Sequence, residues 1–294
     1  MLALALGTLC ALAISACGED SSTESSEAQQ LIEQTVRATS ASLDNGRLDA
    51  RLQLEPEGLL ALGGPILLEV RGPFVAARGD GPPRVDLAAA ATLARKRYAG
   101  GVLSDGRRAF LELDGRAYRL DERSLRRLES LGLDPPSWLK GERTRGRARI
   151  AGVDTIRVTG TVNVARLLDD LDGLVPAQTG RRFADAVRSA RFELWTGAED
   201  KILRQLVVRV ALEVRQGAEP PIPGLKAGRV QLRVRLGEVN GQAAEIKAPA
   251  RALPFSRVPT DRGLGGLLEC LGASGSPRSP GPAGVIPCVI TLDP

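Results

Sequence analysis

The stretch "FELWTGAEDKILRQLVVRV", residues 192–210, contains the pattern that decides the fold. Apolar side chains recur at every second position from Leu206 onward, and Gln205 and Arg209 fall on the other side. A period of two is typical of a half-buried β-strand. "ARFELW" (190–195) reads as another strand, and "TGAED" (196–200) reads as the turn between them. The stretch therefore predicts two strands, each with one apolar face, joined by a turn.

The same alternation appears on both sides of this stretch. It predicts strands over residues 47–54, 66–76, 84–93, 154–162 and 230–236. Asp105-Gly106 and Asp114-Gly115 lie between short apolar segments, which is typical of hairpin turns. Long amphipathic strands joined by hairpins indicate an antiparallel sheet with one solvated face. Four arginines at alternate positions are predicted to line one face of a further strand: Arg143, Arg145, Arg147 and Arg149.

Four segments have helical patterns and could cover the apolar side of the sheet. The first, from Glu27 to Leu43, follows a capping box formed by Ser26 and Gln29. The others are predicted over residues 121–131, 164–171 and 181–190. We therefore predict an α+β fold, a single domain in which a strongly curved antiparallel β-sheet is covered by a few helices.

The amino terminus has the pattern of an export signal that ends at a cysteine. Residues 1–16 are uncharged and apolar, and they are too few for a membrane span, which needs roughly 20. Ile14-Ser15-Ala16-Cys17 resembles the bacterial lipobox, and this resemblance implies acylation of Cys17 and a lipid anchor on the outer face of the cell membrane. A plain secretory signal, or a short buried helix with an incidental cysteine, is the alternative. Residues 17–26 are predicted to be a polar tether.

The composition excludes several functional classes. The 294 residues include no histidine, the commonest general base and metal ligand, so we expect no catalytic residues, no metal site and no cofactor. The net charge of +5 is small for this length and aromatic residues make up 3%, so nucleic acid is not an expected partner. The 43% of apolar residues is enough for a sizeable core.

The carboxyl-terminal region, residues 254–294, is rich in glycine and proline and contains Cys270 and Cys288. An even pair of cysteines in an exported protein predicts a disulfide, and two free thiols are the alternative. The predicted organisation is a signal at 1–16, a tether at 17–26, a folded domain at 27–253 and this tail.

Two phrases resemble the LolA-like lipoprotein-carrier superfamily, and more narrowly the actinobacterial lipoproteins of the LppX and LprG type. They are "VDTIRVTGTVNVARLLDDL" (153–171) and "FELWTGAEDKILRQLVVRV" (192–210). The resemblance covers residues 27–250 and implies a half-barrel that encloses an apolar cavity for lipid or acyl chains. The expected lining is Leu206, Val208, Val210, Leu212, Val230, Leu232, Val234 and Leu236.

Two functions follow as hypotheses. The first is a membrane-anchored lipoprotein that binds or shuttles lipid. The alternative is a non-enzymatic envelope scaffold, or interaction lipoprotein, with a filled core.

Overall fold

A computed structural model describes residues 19–59, 64–77, 82–93, 95–121, 134–170 and 177–258. In that part of the chain, a single open, curled sheet of 12 strands is accompanied by four α-helices. The predicted class, an α+β fold built on a curved, mainly antiparallel half-barrel, is confirmed. Apart from Asp121, the predicted helix at 121–131 lies outside the described residues, as do the three cysteines Cys17, Cys270 and Cys288.

The strands form two meanders that meet along one central pair. Their bounds are β1 Asn45–Glu57, β2 Ile66–Val75, β3 Arg84–Leu93, β4 Lys96–Asp105, β5 Ala109–Leu113, β6 Arg116–Arg119, β7 Leu139–Ile150, β8 Val153–Val162, β9 Val187–Gly197, β10 Leu203–Glu213, β11 Ala227–Gly237 and β12 Leu253–Pro254. Their order across the sheet is β12-β6-β5-β4-β3-β2-β1-β11-β10-β9-β8-β7. Neighbours are antiparallel except for β12 and β6.

The β1–β11 pair joins the two halves of the chain. Arg47 lies opposite Gly237 and Glu57 lies opposite Ala227, with unbroken register between them. Successive side chains of a strand point to opposite faces, so this register aligns the apolar positions of all central strands on one side. We call that side the apolar face and the other side the polar face.

The helices lie on the apolar face near the β7 end of the sheet. Their bounds are α1 Glu19–Ser42, α2 Pro135–Trp138, α3 Val164–Asp170 and α4 Ala177–Asp185. Ala28 and Ile32 of α1 are fully buried in the main core cluster. Gln29 Oε1 accepts a hydrogen bond from the amide of Gly141 at 3.0 Å, and Ser25 Oγ donates to the carbonyl of the same residue at 3.1 Å. These bonds fasten α1 to the outermost strand, β7.

Two predicted helix boundaries differ from the structure. Helix α1 begins at Glu19, not Glu27, so part of the predicted tether is helical, and Gln29 bonds to β7 instead of forming the predicted capping box. The predicted helix at 181–190 ends at Asp185, and β9 begins at Val187. Pairing with β10 decides this boundary, because Ser189 and Ala190 lie in register with β10 and tertiary pairing overrides local propensity.

The prediction that the alternate arginines of β7 share one face is wrong, because the strand contains a β-bulge. Arg143 lies opposite Thr159 on the polar face, whereas Arg147 lies opposite Ile156 on the apolar face. Four steps along β7 therefore match three along β8, which is one extra residue. Gly146, within the bulge, has a φ of 59°, a conformation that glycine adopts without strain.

Candidate functional site

The apolar face forms a continuous surface from β9 to β4, because the register places apolar side chains opposite one another. One row of directly paired positions crosses six strands. It consists of Phe192, Val208, Leu232, Leu52, Leu68 and Ala91. No charged residue interrupts this row, so the surface can contact an apolar molecule without desolvating an ion.

The eight residues predicted to line a cavity all lie on the apolar face. Val208, Leu212 and Leu236 are buried, and the other five are half-buried. Val208 belongs to the main core cluster, and Leu206, Val210 and Leu232 pack against that cluster. Strand β11 lies between β10 and β1, inside the sheet. Their role in binding stays a prediction.

Both ends of the apolar face are covered. At the β7–β10 end, the main cluster packs residues of α1, such as Ile32, against strand residues that include Leu139, Val158 and Phe192. At the other end, a second cluster packs Val258, near the end of the described chain, against residues of β5 and β6. These clusters leave the central strands between them.

The central strands keep large apolar side chains in contact with solvent. Leu52 of β1 is 37% exposed and Leu68 of β2 is 40% exposed. They are the large hydrophobic side chains that remain exposed within the described ranges, and they lie directly opposite each other. Exposed apolar side chains that adjoin one another on a continuous apolar surface indicate a binding surface.

A row of small side chains runs beside this exposed pair. Ala50, Val70, Ala89 and Gly100 lie opposite one another on β1 to β4, and each is half-buried. We call this row, together with the larger Leu52 and Leu68 beside it, the apolar trough. It crosses β1 to β4, a length of roughly 14 Å at the usual spacing between strands. That length fits part of an extended hydrocarbon chain.

Sequence reasoning did not single out β1 to β3 as the strands that stay uncovered. The alternation of residues 47–54 and the small residues in "DLAAAATL" (86–93) were visible signals, but they do not say which strand carries the helices. Helix α1 packs over β7, and the core cluster that it forms reaches Val208 of β10. Strands β1 to β3 lie beyond this cluster and stay uncovered.

The polar face carries a groove of about 1000 Å³ between β7 and β1. Arginine and glutamate side chains form much of its wall, and Val210 and Val230, which belong by register to the apolar face, also border it.

The described residues offer neither a metal site nor a helical membrane span. Among residues 19–258, in the parts that are described, no three histidine, cysteine or acidic side chains are grouped to hold a metal ion. No helix in those same parts combines the length and apolar character needed to cross a membrane.

Several solved structures are similar to this chain. LprF from Mycobacterium bovis has a TM-score of 0.45 and 17% identity, covering 78% of this chain and 99% of LprF. A DUF1329 family protein from Desulfovibrio piger has a TM-score of 0.24 and 10% identity, covering 75% and 95%. A LolA superfamily protein from Nitrosomonas europaea has a TM-score of 0.22 and 11% identity, covering 78% and 96%. No protein-family model matches the chain, and no curated protein matches it.

Proposed function

We propose that this protein is a non-enzymatic, exported lipoprotein that binds the acyl chains of lipids in the trough on its apolar face. The observation that carries the proposal is the exposed, directly paired Leu52 and Leu68 on a surface that forms the core elsewhere. A bound hydrocarbon chain would remove this surface from water, a gain of roughly 25 cal/mol per Å² of apolar area.

The dimensions of the trough favour an acyl chain over a bulkier apolar ligand. Ala89 and Gly100 form a low floor, and Leu68 forms one wall. The wall and floor consist of aliphatic side chains and glycine, so they select by shape and apolar area, not by hydrogen bonding. The chemical identity of a headgroup would not be recognised there.

The binding experiment compares two alanines that are neighbours in β3. Ala89→Trp would fill the trough, because Ala89 lies on the apolar face between Val70 and Gly100. Ala88→Trp places the same side chain on the exposed polar face and is the matched control. We expect Ala89→Trp to reduce the affinity for a fluorescent long-chain fatty acid at least roughly tenfold, since the bound chain would lose several buried methylenes, while Ala88→Trp binds like the wild type.

The alternative function, an envelope scaffold, predicts another result. If a segment of protein fills the trough, the fatty acid should not bind, and organic extracts of the purified protein should contain no lipid by mass spectrometry. Equal binding by both tryptophan variants would also reject the trough as the site.

Membrane attachment is a separate part of the proposal. We propose that residues 1–16 are removed, that Cys17 carries the lipid anchor, and that residues 27–253 form the lipid-binding domain outside the cell membrane. Cys17→Ser should abolish both fatty-acid labelling and membrane association. A labelled, membrane-bound Cys17→Ser protein would reject the anchor. For the tail at 254–294, the proposed Cys270–Cys288 disulfide predicts no free thiol on titration of the denatured mature protein carrying Cys17→Ser.

A further inference from the structure

The groove on the polar face has an excess of positive charge. Its wall contains six arginines and four glutamates. The arginines are Arg143, Arg145, Arg157, Arg191, Arg209 and Arg229, and the glutamates are Glu24, Glu55, Glu142 and Glu193. The groove wall therefore carries two more positive than negative side chains.

Ion pairs neutralise part of this set. Glu193 is shared by two arginines, with Arg157 Nη2 at 2.6 Å and Arg209 Nη1 on the other carboxylate oxygen. Arg191 is less well paired, because its guanidinium is 4.0 Å from Glu142 and its side chain is 72% exposed. A surface pair at this distance has little strength, so the Arg191 guanidinium is available to an external anion.

Two pairs of arginines on the polar face place like charges directly opposite each other. Arg191 and Arg209 lie directly opposite each other on β9 and β10. On the same face, Arg51 and Arg233 lie directly opposite each other on β1 and β11. Like charges at directly opposed positions destabilise a sheet. An anion on this face would relieve the repulsion.

Strand β7 adds two arginines to the same surface. Arg143 lies on the polar face, opposite Thr159, and Arg145 forms part of the groove wall. Arg145 is exposed. Guanidinium groups bind phosphate oxygens in a bidentate geometry, which makes such a cluster suited to phosphate-bearing surfaces.

The chain enters the fold beside this groove. Glu24, near the start of α1, forms an ion pair with Arg143 at 3.9 Å, and Ser25 bonds to Gly141 of β7. Helix α1 begins at Glu19, two positions after the proposed anchor at Cys17. A membrane that holds Cys17 would therefore lie close to the arginine groove.

We infer that the polar face docks on the anionic phospholipid headgroups of the membrane, with the arginine groove as the contact. This inference rests on the proposed anchor at Cys17, which determines where the membrane lies. It does not depend on the acyl-chain trough, which is on the opposite face. Basic side chains close to an anionic bilayer each contribute about 1 kcal/mol to binding.

The test measures binding of the mature chain, residues 17–294 carrying Cys17→Ser, to vesicles, so that neither a covalent lipid nor the apolar signal contributes. Vesicles contain either phosphatidylcholine alone or phosphatidylcholine with phosphatidylglycerol. The groove variant is Arg145→Gln/Arg191→Gln. The control, Arg116→Gln/Arg119→Gln, removes two exposed arginines from β6, at the other end of the sheet, and has the same net charge.

We expect the Cys17→Ser protein to bind the anionic vesicles, and the groove variant to bind them roughly thirtyfold more weakly, as the loss of two surface charges implies. The control should bind like its parent, and raised salt should weaken binding by screening the charges. Fatty-acid binding by the groove variant should be unchanged, which separates this inference from the acyl-chain proposal.

Three results would overturn the inference. One is that the groove variant and the control variant bind anionic vesicles equally weakly, which would mean that net charge alone matters. Another is equal binding to neutral and anionic vesicles. The third is binding of polyglutamate, lost in the groove variant, without binding to anionic vesicles, which would indicate an acidic protein as the partner.

Discussion

Leu52 of β1 and Leu68 of β2 lie directly opposite each other, and each keeps more than a third of its surface exposed on the face that forms the core of the sheet. In a protein whose apolar face is covered at both ends, this pair marks the part that is left open. Substituting both leucines by a polar residue therefore tests binding at the open part of the apolar face.

We predict that Leu52→Asn/Leu68→Asn lowers the affinity for a long-chain fatty acid by about tenfold or more, because polar amides would replace the apolar wall of the trough. The free energy of unfolding should fall by about 2 kcal/mol, since more than half of each leucine is buried, and the variant should remain folded. Titration with a fluorescent fatty acid and urea unfolding measure the two quantities. Leu67→Asn, on the polar face of the same strand, is the matched control and should leave the affinity unchanged.

Gly160 of β8 is predicted to be intolerant of any side chain. A Cβ at this position would lie 1.9 Å from the carbonyl oxygen of Lys140 and 2.8 Å from the ring of Phe192. Backbone and a buried ring cannot move aside without disturbing β7 and the core, so Gly160→Ala should cost about 3 kcal/mol. Gly237→Ala is the control, because no atom lies within 4 Å of its Cβ position. Urea unfolding that gives equal stabilities for the two variants would contradict this packing.

Asp200 and Arg204 form an ion pair at the turn between β9 and β10. The Arg204 side chain is 5% exposed, Asp200 is 41% exposed, and Arg204 Nη1 also donates to the carbonyl of Ile202 at 3.0 Å. Asp200→Ala would leave a buried guanidinium without its carboxylate, and the partial exposure of Asp200 reduces the expected cost to about 2 kcal/mol.

Arg204→Met in the same background should recover part of that loss, because the uncompensated charge is removed. Urea unfolding of the single and double variants tests the pair. A double variant that is less stable than Asp200→Ala would show that Arg204 stabilises the turn through contacts other than this charge pair.

Asp105 ends β4 and holds the hairpin turn into β5. Burial raises the pKa of its carboxyl, but hydrogen bonds from the amides of Arg108 and Arg107 and from the Arg108 guanidinium outweigh burial, so the net pKa lies below its usual 3.8. The folded state therefore favours the carboxylate. The stability that the ionised Asp105 carboxyl contributes is present above the unfolded pKa. It is lost as the pH falls through the lowered folded pKa.

Asp105→Asn should lower the free energy of unfolding by about 1 kcal/mol at neutral pH, because the charge-assisted bonds are lost. The difference from the wild type should shrink as the pH is lowered below 3.8. Urea unfolding of both proteins at several acidic pH values measures this difference in the free energy of unfolding. Asp114→Asn, in the next Asp-Gly turn, is the control, and an equal pH response in both variants would reject the role of Asp105.

The strands and their apolar positions could be predicted with good accuracy. The segment 84–93 was predicted with the bounds that the structure has, and both Asp-Gly turns connect neighbouring strands as expected. Helix limits were less accurate. Helix α1 begins at Glu19, eight residues before the predicted start. In this added part, Glu24 and Ser25 contact residues of β7 that lie more than a hundred positions away in the chain.

The sequence by itself determined which residues form strands and which side of each strand is apolar, because a side-chain period of two is a local property of the backbone. The tertiary structure decided which strands are neighbours and which of them carry the helices. Leu52 and Val208 have the same apolar alternation around them, yet Val208 is buried and Leu52 is exposed. Burial depends on what packs above a side chain, and the position of α1 over β7 is fixed by contacts between distant parts of the chain.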